Sequence, residues 1–394
     1  MQQKVRYAVS AAILLASNGL AFAQDEVWRY FVSDHEKAQI TVFEKEVEPL
    51  VWTDFAAPAR LYASGDGTRL FAVQRAIGRI DFARTGLSYE DHGDHQDPHM
   101  GEAQWNGLFL TGHKPTHFVV HDQSVAAFMD GTGSVQRIDL AEEDLQHQVS
   151  FAVSARPHHG VAVPFDGHLL ISEPSKASDS SLPDFVRVLD REMKEIGEPH
   201  ACKGLHGEAS SGNKTAFACV DGILVFDAAD YSSSQFLSYP EELGEGRTGR
   251  LDGGQGIQLF AGNFGKNKMI FVDVESEGHF VSTQFDAGLV AGYLDPENAA
   301  QAFVLTADGN MHIVNALSGS IVQSTSILAP IDMEGGHGAA RPSFVFAGEN
   351  LALVDPTQGH LRLIRKSDLA SVETIEVGGK PSSIVAVGAK LEDH

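Results

Sequence analysis

The sequence is poor in cysteine, in basic residues and in long apolar runs. Among its 394 residues are two cysteines and 29 Lys and Arg against 53 Asp and Glu. Two cysteines cannot frame a small disulfide-stapled fold, and 43% hydrophobic content is enough to bury a core, which also excludes wholesale disorder. No run approaches the ~18 uninterrupted apolar residues that a spanning helix needs, so no membrane insertion is expected. The acidic balance makes nucleic acid and anionic lipid poor partners, since both call for a basic surface. Several catalytic signatures are also missing. There is no Gly-x-Ser-x-Gly elbow, no His-Glu-x-x-His, no phosphate-binding Gly-x-x-x-x-Gly-Lys-Ser/Thr loop and no Cys-x-x-Cys-His haem site.

The first 23 residues read as a secretory signal peptide. Lys4 and Arg6 form a short basic region, Ala8 to Leu15 is mostly apolar, and Ala21-Phe22-Ala23 is a cleavage signal. The mature chain, 24–394, is then expected to be exported and to start near Gln24. Loss of the leader takes the formal charge from −24 to −26. In an oxidising compartment Cys202 and Cys219 are expected to pair, and neither belongs to a Cys-x-x-Cys zinc motif.

Apolar runs of five to eight residues, such as Leu70 to Gln74, Val125 to Met129 and Met269 to Val274, alternate with turns such as Asp166-Gly167, Asp221-Gly222 and Asp308-Gly309. This pattern predicts an all-β chain. Similar phrases return every forty to fifty residues or so, with openings near Arg60, His117, His159, His206, Arg250, Val290, Phe344 and Ser383. Four-strand repeats of about that length are propeller blades. Eight blades are expected, or seven if two weak repeats merge. Too few residues follow Ser383 for a blade, so strands near Trp28 to Ser33, Gln39 to Phe43 and Leu50 to Trp52 are expected to complete it and close the ring. The longest interval, after Arg60, holds an inserted loop at about 90–102.

Two groups of residues point to metal. Glu90 to His99 holds His92, His95 and His99 with Glu90, Asp91, Asp94 and Asp97, and Gly93 and Pro98 are expected to keep it irregular. Imidazole and carboxylate suit zinc, and His92, Asp94, His95 and His99 are the expected capture ligands. The second group follows from the repeat. His117, His159 and His206 take equivalent positions at the start of three consecutive innermost strands, so the rings are expected to converge in the channel. Glu208, two residues after His206 and so on the same strand face, is the expected fourth ligand. His158 is expected to face away. Two rival readings are a metal-dependent propeller enzyme of hydrolase or lactonase type, with three or fewer protein ligands and an exchangeable water, and an interaction scaffold that holds no metal.

The leader, the repeats, the His92, His95 and His99 loop, and the Pro157-His158-His159-Gly160 and Leu205-His206-Gly207-Glu208 phrases together resemble the AztD-type periplasmic zinc metallochaperones. The resemblance spans the mature chain. It implies a non-enzymatic propeller that binds Zn2+ in the periplasm and passes it directly to the solute-binding protein of a zinc ABC importer. That acceptor is expected to dock on the face carrying the His-rich loop.

Overall fold

A computed structural model of the chain describes residues 26–93, 95–121, 123–140, 149–177, 179–254 and 256–390. The leader, the cleavage site and Asp94 lie outside the described residues. Those described form eight four-stranded antiparallel sheets and one two-stranded hairpin, with no α-helix. Each sheet is one propeller blade.

Blade 1 comprises Arg60–Ala63, Arg69–Gln74, Arg79–Arg84 and Gln104–Thr111. The innermost strands of blades 2 to 7 are Pro115–His121, Ala162–Phe165, Glu208–Ser211, Leu251–Asp252, Leu289–Asp295 and Ser343–Ala347. The eighth blade closes the ring as expected. Its innermost strand is the C-terminal Pro381–Lys390, which pairs antiparallel with Glu26–Asp34, and Ile40–Glu44 and Val47–Trp52 lie outside it. Joining the two chain ends within one sheet leaves no free edge between first and last blades.

Burial explains why the middle strands read as apolar runs rather than as alternating patterns. Each blade stacks on two neighbours, so both faces of its inner strands are covered, and Leu70, Phe71 and Ala72 are all buried in succession. The outermost strands meet water and alternate, as Gln104–Thr111 and Ile321–Ser326 show. Phe128, Phe217, Phe226, Phe260 and Phe303 fill the wedges between blades. Truncating one of these to alanine costs about 3–5 kcal/mol.

The His-rich insertion differs from the sequence expectation. Leu87–Asp91 pairs with Gln96–Met100 in a hairpin, with Pro98 opposite Tyr89 and Gly93 in the turn at φ 88°. A two-stranded ribbon consists of edges alone, where a proline need not break a ladder. Leu87 anchors the hairpin by packing into the core between blades 1 and 8, with Met100 against the same cluster.

Candidate metal centre

The three channel histidines do come together. Ring centroids lie 5.0 Å apart for His117 and His159, 5.3 Å for His159 and His206, and 6.4 Å for His117 and His206. Their backbone placement is less uniform than the repeat suggested. His117 is within the innermost strand of blade 2, whereas His159 and His206 lie in the segments that lead into Ala162–Phe165 and Glu208–Ser211. These lead-in segments are pinned, since His159 N–H donates to Ser181 O and His206 N–H to Ala218 O.

Each imidazole is held by its Nδ1. His117 Nδ1 lies 3.3 Å from Glu208 Oε1, His159 Nδ1 2.9 Å from Asp130 Oδ2, and His206 Nδ1 2.7 Å from the Gly249 carbonyl. Acceptors behind Nδ1 fix the tautomer and leave Nε2 as the lone-pair donor, the usual arrangement behind a metal-binding histidine. His117 Nε2 and His159 Nε2 are 3.4 Å apart. Two nitrogens bound tetrahedrally to one zinc at 2.0–2.1 Å would be separated by about 3.3–3.4 Å. Among the described residues, however, no group of three or more His, Cys, Asp or Glu side chains is already set to hold an ion. Glu208 rests on His117 Nδ1, so the four donors do not yet face one point.

Two glycines make the close approach feasible. Gly207 has φ 104°, and a Cβ there would press on the Gly249 backbone at 3.0 Å, the same carbonyl that receives His206. At Gly160, beside His159, a Cβ would collide with His158, Phe128 and Ser172.

Electrostatics separate the rings. Burial opposes charge on His117, but the Glu208 carboxylate and then Asp130 outweigh it and raise its pKa above 6.5. Burial, reinforced by the neighbouring imidazoles, pushes His206 below 6.5 despite the Gly249 carbonyl. Burial would lift Asp130, yet bonds from His159 and Thr116 hold it below its ordinary 3.8. His158 faces away as expected, bonded to Ser172 Oγ at 2.9 Å and to Arg156 O at 3.0 Å.

The sequence reading missed Asp130 and the Gly249 carbonyl. Asp130 belongs to one of many Asp-Gly turns, and no residue type marks a backbone carbonyl. The reading did find Cys202 and Cys219, which are bonded. The bridge is placed beside the site: Cys202 comes just before the His206 segment, and Cys219 follows the strand Lys214–Ala218, on whose last residue that segment is bonded.

In the hairpin, His92 Nε2 and His95 Nε2 lie 3.2 and 3.7 Å from the two oxygens of Asp97, with the rings stacked 5.1 Å apart. His99 Nε2 instead meets Glu90 Oε2 at 3.2 Å. Strand direction sets where this group lies. The histidine cluster is at the starting end of the innermost strands, with Asp130 between the second and third strands of blade 2. The hairpin joins the third and fourth strands of blade 1, so it emerges at the other end, where Tyr89 OH donates to Asp66 O. An innermost strand such as Pro115–His121 puts about 20 Å between the two ends.

No family model matches the sequence. The zinc chaperone AztD of Citrobacter koseri is 33% identical over 391 residues, covering 98% of this chain and 93% of that protein. The chain belongs to the AztD family. The crystal structure of Citrobacter koseri AztD superposes with a TM-score of 0.86 at 31% identity, covering 94% of this chain and all of that one. Its apo form gives 0.85 at 30% identity. The dihydro-heme d1 dehydrogenase NirN reaches 0.61 at 14% identity, over 93% of this chain and 76% of that one, which marks a shared propeller fold and no more.

Proposed function

We propose that the protein is a periplasmic zinc chaperone that binds Zn2+ at the channel mouth and hands it directly to the solute-binding protein of a zinc importer. The observation that carries this reading is the set of three convergent imidazoles, each with Nδ1 held from behind. Membership of the AztD family supports it, because the characterised relative is a zinc chaperone. No helix among the described residues is long and apolar enough to cross a membrane.

In the proposed cycle His117, His159 and His206 bind zinc through Nε2, and Glu208 leaves His117 to become the fourth ligand. Return of Glu208 to His117 reopens one coordination position, where the first ligand of a docked acceptor enters. Zinc thus changes hands without passing through a naked ion. In this cycle His117, His159, His206 and Glu208 all serve as zinc ligands, and we propose no catalytic role.

The acceptor docks at the mouth formed by the lead-in segments of His159 and His206, rather than on the hairpin face. The hairpin, with His92, His95 and His99 and the neighbouring Asp94, gathers zinc at the opposite end. Competition titration of alanine variants at His117, His159, His206 and Glu208 tests the ligand set. Each should lose at least tenfold in zinc affinity, and wild-type affinity in the folded His159 variant would remove the channel site from the account.

A further inference from the structure

The channel has two chemically different halves. In ring order the three histidine blades are bracketed by Arg60 on blade 1 and Arg250, which leads into blade 5. Blades 1 and 5 of eight are opposite each other, so the two arginines start from opposite walls of the channel. Arg341, leading into blade 7, stands in the middle of the remaining arc. All three line a cavity of about 1020 Å3 whose lining runs from Arg75 and Pro342, at the end where the histidine cluster lies, to Gly253 and Pro296 at the other end.

These arginines are poorly spent. Among the described residues none has a carboxylate within ion-pair distance. Arg60 lies over the Tyr62 ring at 5.5 Å, Arg250 Nη1 donates to Val290 O at 3.3 Å, and Arg341 Nη2 donates to Met333 O at 2.9 Å. Arg341 Nε is buried with no partner. Arg60 and Arg250 nonetheless stay exposed, because what they face is the cavity. A guanidinium offers five donors, so most of the capacity here is unused. In a chain with 53 acidic residues against 29 basic ones, three unpaired arginines around one cavity run against the overall charge. Leu61, Val290 and Phe344 provide apolar wall between them; of the two carboxylates in the lining, Asp34 accepts from the N–H groups of Glu36, Lys37 and Lys380, and burial pushes Asp252 up to about 7, toward its neutral form.

We propose that this half of the channel binds a small organic anion carrying two or three carboxylates. Planar guanidiniums match carboxylates in bidentate geometry. Separated cations with apolar wall between them suit charges spaced along a carbon skeleton better than one compact oxyanion.

The test uses the full mature chain free of zinc, titrated calorimetrically with tricarballylate, succinate and inorganic phosphate. Tricarballylate should bind saturably at one per chain, at least tenfold more weakly in Arg60→Gln and in Arg250→Gln, each checked for a wild-type melting temperature. A parallel measurement needs no variant: tricarballylate should slow phenylglyoxal modification of Arg60, Arg250 and Arg341 by at least threefold, read by peptide mass spectrometry, and leave exposed Arg84 unchanged. Absence of saturable binding, preference for phosphate, undiminished binding in both the Arg60→Gln and the Arg250→Gln variant, or equal modification rates would each overturn the proposal.

Discussion

Asp130→Asn is the most informative single change at the metal centre. The carboxylate lies 2.9 Å behind His159 Nδ1, and an asparagine oxygen there keeps that hydrogen bond while removing the charge. A partner in this position raises the basicity of the coordinating nitrogen, and its loss typically costs 10–100-fold in metal affinity, or about 1.4–2.7 kcal/mol. Retained geometry puts Asn at the lower end, near tenfold, and Asp130→Ala near the upper end. Zinc affinity would be read by competition with a chromophoric chelator at pH 7.5, alongside a thermal melt. Unchanged or tighter zinc binding in folded Asp130→Asn would refute the placement of Asp130 behind a zinc-bound ring.

Three further outcomes follow from the same geometry. Replacing Cys202 and Cys219 by serine should cost about 3 kcal/mol in chemical unfolding, from the chain entropy of a loop of this size, and should weaken zinc binding because the His206 segment loses its anchor. Because the His117 pKa is raised, its contribution to metal-free stability is present below 6.5 and lost as pH rises through the folded value; zinc must displace that proton, so affinity should already decline before pH falls to 6.5, and calorimetry in buffers of different ionisation enthalpy should show proton release. Deleting residues 90–99 should lower total zinc bound per chain while transfer from the loaded channel site stays within twofold, whereas a transfer rate that collapses would put acceptor docking on the hairpin face.

Much of the fold was legible because blade repetition is written twice, in turn chemistry and in strand length. Leu70 to Gln74 and Val125 to Met129 each fall inside an observed strand, and the closing blade could be inferred because Ser383 has too little chain after it. Channel convergence of His117, His159 and His206 followed from the same repeat. Glu208 was placed by strand periodicity, but His206 is not in the strand; Glu208 reaches His117 because Gly207 turns the backbone with positive φ. The hairpin was misjudged because proline was weighed as a strand breaker without regard to edges. Its position at the opposite end from the histidines depends on strand direction, which residue types do not encode. Asp130 became visible only when the neighbouring blade was in place.

The central claim is direct transfer from the channel site. The decisive measurement mixes the zinc-loaded protein with an apo zinc solute-binding protein in the presence of excess chelator and quantifies acceptor-bound zinc over time. The account predicts that zinc reaches the acceptor despite the chelator, and that the His159→Ala variant delivers none. Zinc found wholly on the chelator, with none on the acceptor, would contradict it.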